Sequence, residues 1–190
     1  MNLGKSLFAI ALFLTPAAAF AHSGHDHSGL MAGLAHPLFG LDHLLAMLAV
    51  GLWAAQQSGA ARWALPLSFV ASMLLGGLLG FNGVQLPLVE TGIAASVLAF
   101  GLLLAVAIRL PLALSLGLTA LFALSHGLAH GLELPELASP WGYATGFVVA
   151  TAALHASGYA LVRLLPPAAA PLLRLAGAAA ALSGGWLLAG

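Results

Sequence analysis

Long apolar stretches separated by short polar breaks dominate the chain from residue 30 onwards. Six such stretches cover residues 30–57, 62–81, 88–108, 111–132, 141–164 and 168–188. Each is long enough to cross the hydrocarbon core of a bilayer as an α-helix, which takes about 20 residues. Turn-forming residues such as Asn82-Gly83 and Ser139-Pro140 mark the breaks. The pattern predicts an all-α membrane protein with one six-helix transmembrane domain over residues 30–190.

The overall composition supports this class and excludes several others. Hydrophobic residues make up 62% of the chain and charged residues only 5%, whereas a soluble domain carries about 25% charged residues. The lipid bilayer is therefore the expected surroundings. Zero net charge and the absence of a nucleotide-binding motif give no reason to expect nucleic acid or nucleotide partners. The absence of cysteine excludes disulfides, thiolate metal sites and cysteine nucleophiles.

The first 21 residues have the features of a secretory signal peptide. Lys5 provides a positive start, an apolar run follows, and Ala19-Phe20-Ala21 forms a small-x-small cleavage site. The alternative is an uncleaved first anchor helix. Cleavage would leave a polar tail over residues 22–29, in which His22, His25 and His27 are possible accessory metal ligands. The other possibility is a solvated tail that binds metal only adventitiously.

The distribution of charged residues predicts the orientation in the membrane. Arginines lie beside the first, third and fifth connections, at Arg62, Arg109, Arg163 and Arg174. The positive-inside rule places these connections in the cytoplasm and both termini of the mature chain outside, and a signal peptide predicts the same orientation. Glu90 is expected to mark a solvated helix start, where the helix dipole favours an acid.

The first apolar stretch contains a cluster of polar residues that is unusual for a membrane span. At about 100° per residue, His36, Gly40, His43 and Met47 fall on one face of a helix. Asp42 lies on the neighbouring face, unless a kink at Pro37 rotates it inward. Because ionisable groups in hydrocarbon are costly, they usually have a function. The residue types indicate a route for a borderline divalent metal ion.

A second cluster lies at the end of the fourth span. His126, His130 and Glu133 project from one side of that helix at i, i+4 and i+7 spacing. The first span is predicted to run inward and the fourth outward, so both clusters fall in the outer half of the membrane. They are expected to meet in one metal site of nitrogen and oxygen ligands, with Asp42 deepest, near the midplane. Met47 and His155 are possible accessory ligands, or else packing residues.

Together these motifs resemble the HupE/UreJ family of nickel and cobalt permeases. The resemblance rests on His-x5-Asp-His at residues 36–43, on His-Gly-x-Ala-His-Gly-x-Glu at residues 126–133, and on the six spans and the signal peptide. It implies an inner-membrane uptake protein and not an enzyme, with a periplasmic N-terminus and no fixed cofactor. Its cargo would be Ni²⁺ or Co²⁺ for hydrogenase or urease maturation. The residues it assigns to transport are His36, Asp42, His43, His126, His130 and Glu133. Ser125 departs from the family pattern, which often has an aromatic residue there.

Imidazole and carboxylate ligands suit several divalent ions, so selectivity must come from geometry. Binding is expected to weaken as pH falls through about 6.5, because imidazole must be deprotonated to ligate. With no ionisable residue evident in the inner half of the spans, facilitated diffusion is preferred to proton antiport.

The same residues are also compatible with other functions. The histidines could be axial haem ligands of an electron-transfer protein, or Ser157 beside His155 could be the nucleophile of an intramembrane hydrolase. The histidines could also serve only to brace helices.

Overall fold

A computed structural model describes residues 29–132 and 139–190. The predicted signal peptide and its histidine-rich tail, with His22, His25 and His27, lie outside the described residues, as does Glu133. The described chain forms α-helices at Gly29–Phe39 (α1), Leu41–Gln56 (α2), Ala61–Phe81 (α3), Val89–Val106 (α4), Leu112–Leu132 (α5), Pro140–Leu164 (α6) and Ala170–Ala189 (α7). A 3-10 turn at Pro167–Ala169 leads into α7.

The helical membrane fold predicted from the apolar pattern is confirmed. Helices α3 to α6, and α7 with the turn before it, are each long and apolar enough to cross a bilayer. Helices α1 and α2 make a sixth span if they are counted together. Many large apolar side chains on the outside of the bundle are exposed, as expected of a surface that faces lipid.

The first span is not one continuous helix. α1 and α2 are bent by 79° relative to each other, and Gly40 at the junction has an extended backbone (φ −77°, ψ 110°). Pro37 lies in the last turns of α1, where it cannot donate a backbone hydrogen bond and its ring disturbs the preceding turn. The prediction of one helical face carrying His36, Gly40, His43 and Met47 is therefore wrong.

Three helix pairs build the bundle through close backbone contacts at glycine. α3 and α5 run parallel, with Met73 opposite Gly127 and Gly77 opposite Gly131. α6 runs parallel to α1 and α2, since Gly33 lies against Tyr143 and Gly51 against His155. α4 and α7 are antiparallel, with Leu98 opposite Gly184 and Ala105 opposite Gly177. These directions are those of a chain that crosses the membrane alternately six times.

The interior of the bundle combines apolar packing with buried polar groups. Trp53, Phe69 and Phe100 are fully buried in the apolar core. The same interior holds four buried histidines together with a few hydroxyl side chains: His43, His126, His130, His155, Ser96, Ser115, Thr119 and Thr151. Buried polar groups in a membrane interior usually belong to a site.

Candidate metal site

Three imidazoles from three different helices converge in the bundle. His36 from the end of α1, His43 from the start of α2 and His130 from the end of α5 each offer a ring nitrogen, and these nitrogens all lie within 4.8 Å of one another. The ring centroid of His130 is 4.6 Å from that of His36 and 4.6 Å from that of His43. His43 and His130 are buried and His36 is half-buried. The predicted meeting of the two motifs is thus observed for their histidines.

The break at Gly40 shapes the α2 part of this cluster. It makes Asp42 a first-turn residue of α2, where Asp42 Oδ1 accepts a hydrogen bond from the backbone N–H of His43 at 2.7 Å. The same oxygen lies 2.7 Å from His43 Nδ1. An ionised carboxylate accepts only, so Nδ1 carries the proton and the lone pair of the neutral ring lies on Nε2. His43 Nε2 is buried and has no hydrogen-bond partner among the described residues.

His126 is oriented by a serine on α4. Ser96 Oγ donates its proton to the carbonyl of Ile93 at 2.6 Å and lies 2.8 Å from His126 Nε2. Because a serine hydroxyl has one proton, Oγ must accept from His126 Nε2–H. The lone pair of His126 therefore lies on Nδ1, which is buried without a partner in the described part of the chain. The His126 ring is 4.7 Å from the His43 ring.

His130 has a similar arrangement with α6. Its Nδ1 lies 3.3 Å from the Tyr143 hydroxyl, and its ring packs against Phe147 at a centroid distance of 3.7 Å. Its Nε2 is buried and unpartnered within the described ranges. His43, His126 and His130 thus share one arrangement, in which one ring nitrogen is held by a neighbour and the other is left without a partner.

This arrangement is characteristic of histidines prepared to bind metal. Metal-ligating histidines usually engage their other ring nitrogen with a carboxylate, hydroxyl or carbonyl that fixes the tautomer and the orientation of the ring. An unpartnered buried nitrogen costs about 1–3 kcal/mol, which ligation of an ion would offset. Imidazole suits borderline ions such as Ni²⁺, Co²⁺ and Zn²⁺.

The glycines of the second motif determine which way its histidines point. A Cβ on Gly127 would collide with the Met73 carbonyl, and one on Gly131 with the Gly77 carbonyl. The glycine side of α5 is therefore pressed against α3. His126 and His130 project from another side of α5, toward α2 and α6. Ser125, the departure from the family pattern, lies against Gly92 of α4.

The predicted position of Asp42 is wrong. Asp42 is not the deepest residue of the site; it lines a small polar pocket of about 170 Å³ with Glu90, Thr91 and the end of α7 at Leu187 and Leu188. The turn of the chain at Gly40 carries it to this outer position. Glu90 does mark an exposed start of α4, as expected. Its neighbourhood with Asp42 was not predicted, since it depends on contacts between helices.

Met47 and His155, the predicted accessory ligands, do not belong to the three-histidine cluster. Both are buried further along the bundle. The ring of Phe69 packs against both histidines, with its centroid 5.0 Å from that of His155 and 5.6 Å from that of His126. Neither ring nitrogen of His155 has a hydrogen-bond partner among the described residues, so His155 is not paired with Ser157.

Two comparisons with known proteins agree. The family model described as "HupE / UreJ protein" matches residues 10–187. The chain is 43% identical over 191 residues to "Protein HupE" of Rhizobium leguminosarum bv. viciae, with 100% of both chains covered. No solved structure matches. The chain belongs to the HupE/UreJ family, a family of nickel and cobalt transport proteins.

Proposed function

We propose that this protein is an inner-membrane permease that takes up Ni²⁺, or Co²⁺, through the cluster formed by His36, His43 and His130. The observation that carries the proposal is the approach of three imidazole nitrogens to within 4.8 Å of one another in a membrane interior. With the arginine-bearing connections in the cytoplasm, the cluster faces the periplasm. The imported ion supplies hydrogenase or urease maturation.

The donor set suits the cargo. Neutral imidazole binds borderline transition metals, whereas Mg²⁺ and Ca²⁺ prefer oxygen ligands. The chain contains no cysteine, so there is no thiolate to hold an ion irreversibly. A permeation site must bind the ion strongly enough to admit it and weakly enough to release it.

Each motif residue then has a distinct role. His36, His43 and His130 bind the ion, and Asp42 orients His43 while contributing charge to the outer pocket with Glu90. His126, 4.7 Å from His43 between ring centroids, receives the ion next. Glu133 and the tail histidines His22, His25 and His27 are proposed to capture the ion outside.

Facilitated diffusion remains the proposed mode of transport. The premise that no ionisable group lies in the inner half was wrong for His155, which is past the midpoint of α6. No carboxylate accompanies it, because the two acidic residues in the described part of the chain, Asp42 and Glu90, both line the outer pocket. A proton-coupled carrier would need a further group that binds and releases the proton in the inner half of the spans.

The alternative functions find less support. The imidazoles of the cluster pack edge to face against one another, with centroids 4.6 to 5.7 Å apart, which leaves no flat slot for a haem. His155 is not hydrogen-bonded to Ser157, so the hydrolase has no activated nucleophile.

Radiometal uptake in a host that lacks its own nickel and cobalt transporters tests the proposal. Cells expressing the protein should accumulate ⁶³Ni²⁺ or ⁵⁷Co²⁺ above the empty-vector control. Excess unlabelled Ni²⁺ and Co²⁺ should compete, and Zn²⁺ and Cu²⁺ should compete less. Accumulation equal to the control for both ions would refute the proposed function.

A further inference from the structure

A second group of potential metal ligands lies in the bundle beyond the three-histidine cluster. Thr151 is fully buried on α6, and its hydroxyl lies 3.3 Å from the Met47 sulfur of α2 and 3.7 Å from the Met73 sulfur of α3. Two thioethers from two helices therefore lie close to one hydroxyl. His155 follows Thr151 by one turn on the same side of α6.

His155 is the unexplained member of this group. It is 3% exposed, and neither of its ring nitrogens has a hydrogen-bond partner in the described ranges. A neutral imidazole carries one donor and one acceptor, and burying both without partners is unfavourable. An apolar residue would fill the same space without this cost, so mere packing does not account for a histidine here.

The position of the group along the bundle is defined by α6. Tyr143, which contacts His130, lies in the first turn of α6, and Thr151 and His155 follow two and three turns later. His155 is therefore about 18 Å further along the helix axis than Tyr143. The Phe69 ring packs against both His126 and His155, and the His126 ring is 4.7 Å from the His43 ring of the outer cluster.

We propose that Met47, Met73 and His155 form a second, inner binding site for the transported ion. This inference rests on the proposed function, because it assumes that a metal ion travels along the bundle. One imidazole and two neutral thioethers bind a borderline ion more weakly than three imidazoles do, which suits a site from which the ion is released. Sulfur donors also exclude hard ions such as Mg²⁺ and Ca²⁺.

The absence of cysteine makes this proposal directly testable by X-ray absorption spectroscopy. Any sulfur bound to the metal must come from one of the 4 methionines. Purified protein loaded with excess Ni²⁺ should show a sulfur scatterer at about 2.3–2.5 Å from the metal. The signal should disappear in a Met47→Leu, Met73→Leu double variant, since leucine keeps the volume of methionine. It should persist in Met31→Leu, a control at an exposed methionine of α1.

Uptake measurements complete the test. The double variant and His155→Leu should each take up Ni²⁺ at least about fivefold more slowly, while the outer cluster binds the ion with unchanged affinity. Absence of a sulfur signal in the wild type, or its persistence in the double variant, would overturn the inner site. If the wild type transports and the double variant transports equally well, the inner site fails and the proposed function stands. If the wild type does not transport, the proposed function fails.

Discussion

The α3–α5 pair and the α4–α7 pair are both held together by close backbone contacts at glycine, yet of these two pairs only the first carries histidines. In both pairs glycines bring the two backbones into contact, at Gly127 and Gly131 in one and at Gly101, Gly177 and Gly184 in the other. In α5 the glycines alternate with His126 and His130, whereas α4 and α7 contain no histidine. Close packing of small residues is a common way for helices to associate in lipid. In α5 the same contact also orients the histidines that are proposed to bind the metal.

Removing a proposed metal ligand from the α3–α5 pair should have the largest effect on Ni²⁺ uptake. His130→Ala removes one imidazole of the three-histidine cluster, and uptake of Ni²⁺ should fall to the background of the radiometal assay. Leu121→Ala, at a lipid-exposed position of the same helix (62% exposed), should transport normally. Equal protein in the membrane fraction would show that His130→Ala still inserts, and near-normal uptake by that variant would contradict the site.

Removing the carboxylate that orients His43 should have the next largest effect. Asp42→Asn keeps the shape of the side chain and loses the charged acceptor for His43 Nδ1–H. Loss of such a supporting group typically lowers metal affinity by about 10- to 100-fold. Isothermal titration of Co²⁺ into the purified variant would measure this loss. Unchanged affinity would mean that Asp42 does not orient the ligand.

Acidification should weaken the histidine cluster and leave the α4–α7 pair intact. Protons compete with the metal for the lone pairs of the imidazoles, so the affinity for Co²⁺ should decrease as the pH is lowered. Titrations of the purified protein at a series of pH values from neutral downwards would measure this decrease. An affinity that rose on acidification would exclude neutral imidazoles as the main ligands.

Glycine substitutions compare the two pairs most directly. A Cβ at Gly127 would meet the Met73 backbone, and a Cβ at Gly101 would meet the Ala181 backbone. Both Gly127→Ala and Gly101→Ala should therefore destabilise the protein by about 1–3 kcal/mol. Uptake per folded molecule should fall severalfold only in Gly127→Ala, because only that change displaces histidines. Equal uptake by the two folded variants would show that the contact serves packing alone.

The smallest expected effect concerns the tautomer of His126. Ser96→Ala removes the acceptor for His126 Nε2–H and should slow Ni²⁺ uptake by about threefold, since the ring can then turn or change tautomer. Ser96→Thr, which restores a hydroxyl, should recover most of the rate. Ser115→Ala is a matched control, because Ser115 is a buried serine whose hydroxyl donates to backbone carbonyls at the start of α5.

Much of the fold followed from the sequence because apolar length and breaker residues are local properties. The positions of the spans and the approach of His36, His43 and His130 were predicted from spacing and from the alternating direction of the helices. The depth of Asp42 was mispredicted because that prediction assumed a regular helix through Gly40. A proline and a glycine in a span permit a break, but neither fixes an angle of 79°.

The residues that contact the buried polar groups could not be predicted from the sequence. Ser96 contacts a histidine 30 positions away, and Thr151 contacts methionines 104 and 78 positions away. Ser96 and Met73 fall on ordinary apolar helices, where serine and methionine commonly serve packing. Only the pairing of the helices brings these groups to the buried histidines.

The central claim is that imidazoles from α1, α2 and α5 bind one ion together. Co²⁺ titration of purified wild-type protein and of the His36→Ala, His43→Ala and His130→Ala variants, singly and in pairs, measures this directly. One shared site predicts that each single change removes the high-affinity binding and that the double variants lose little more. High-affinity binding that survives any of the three single changes, or losses that simply add, would contradict a common site.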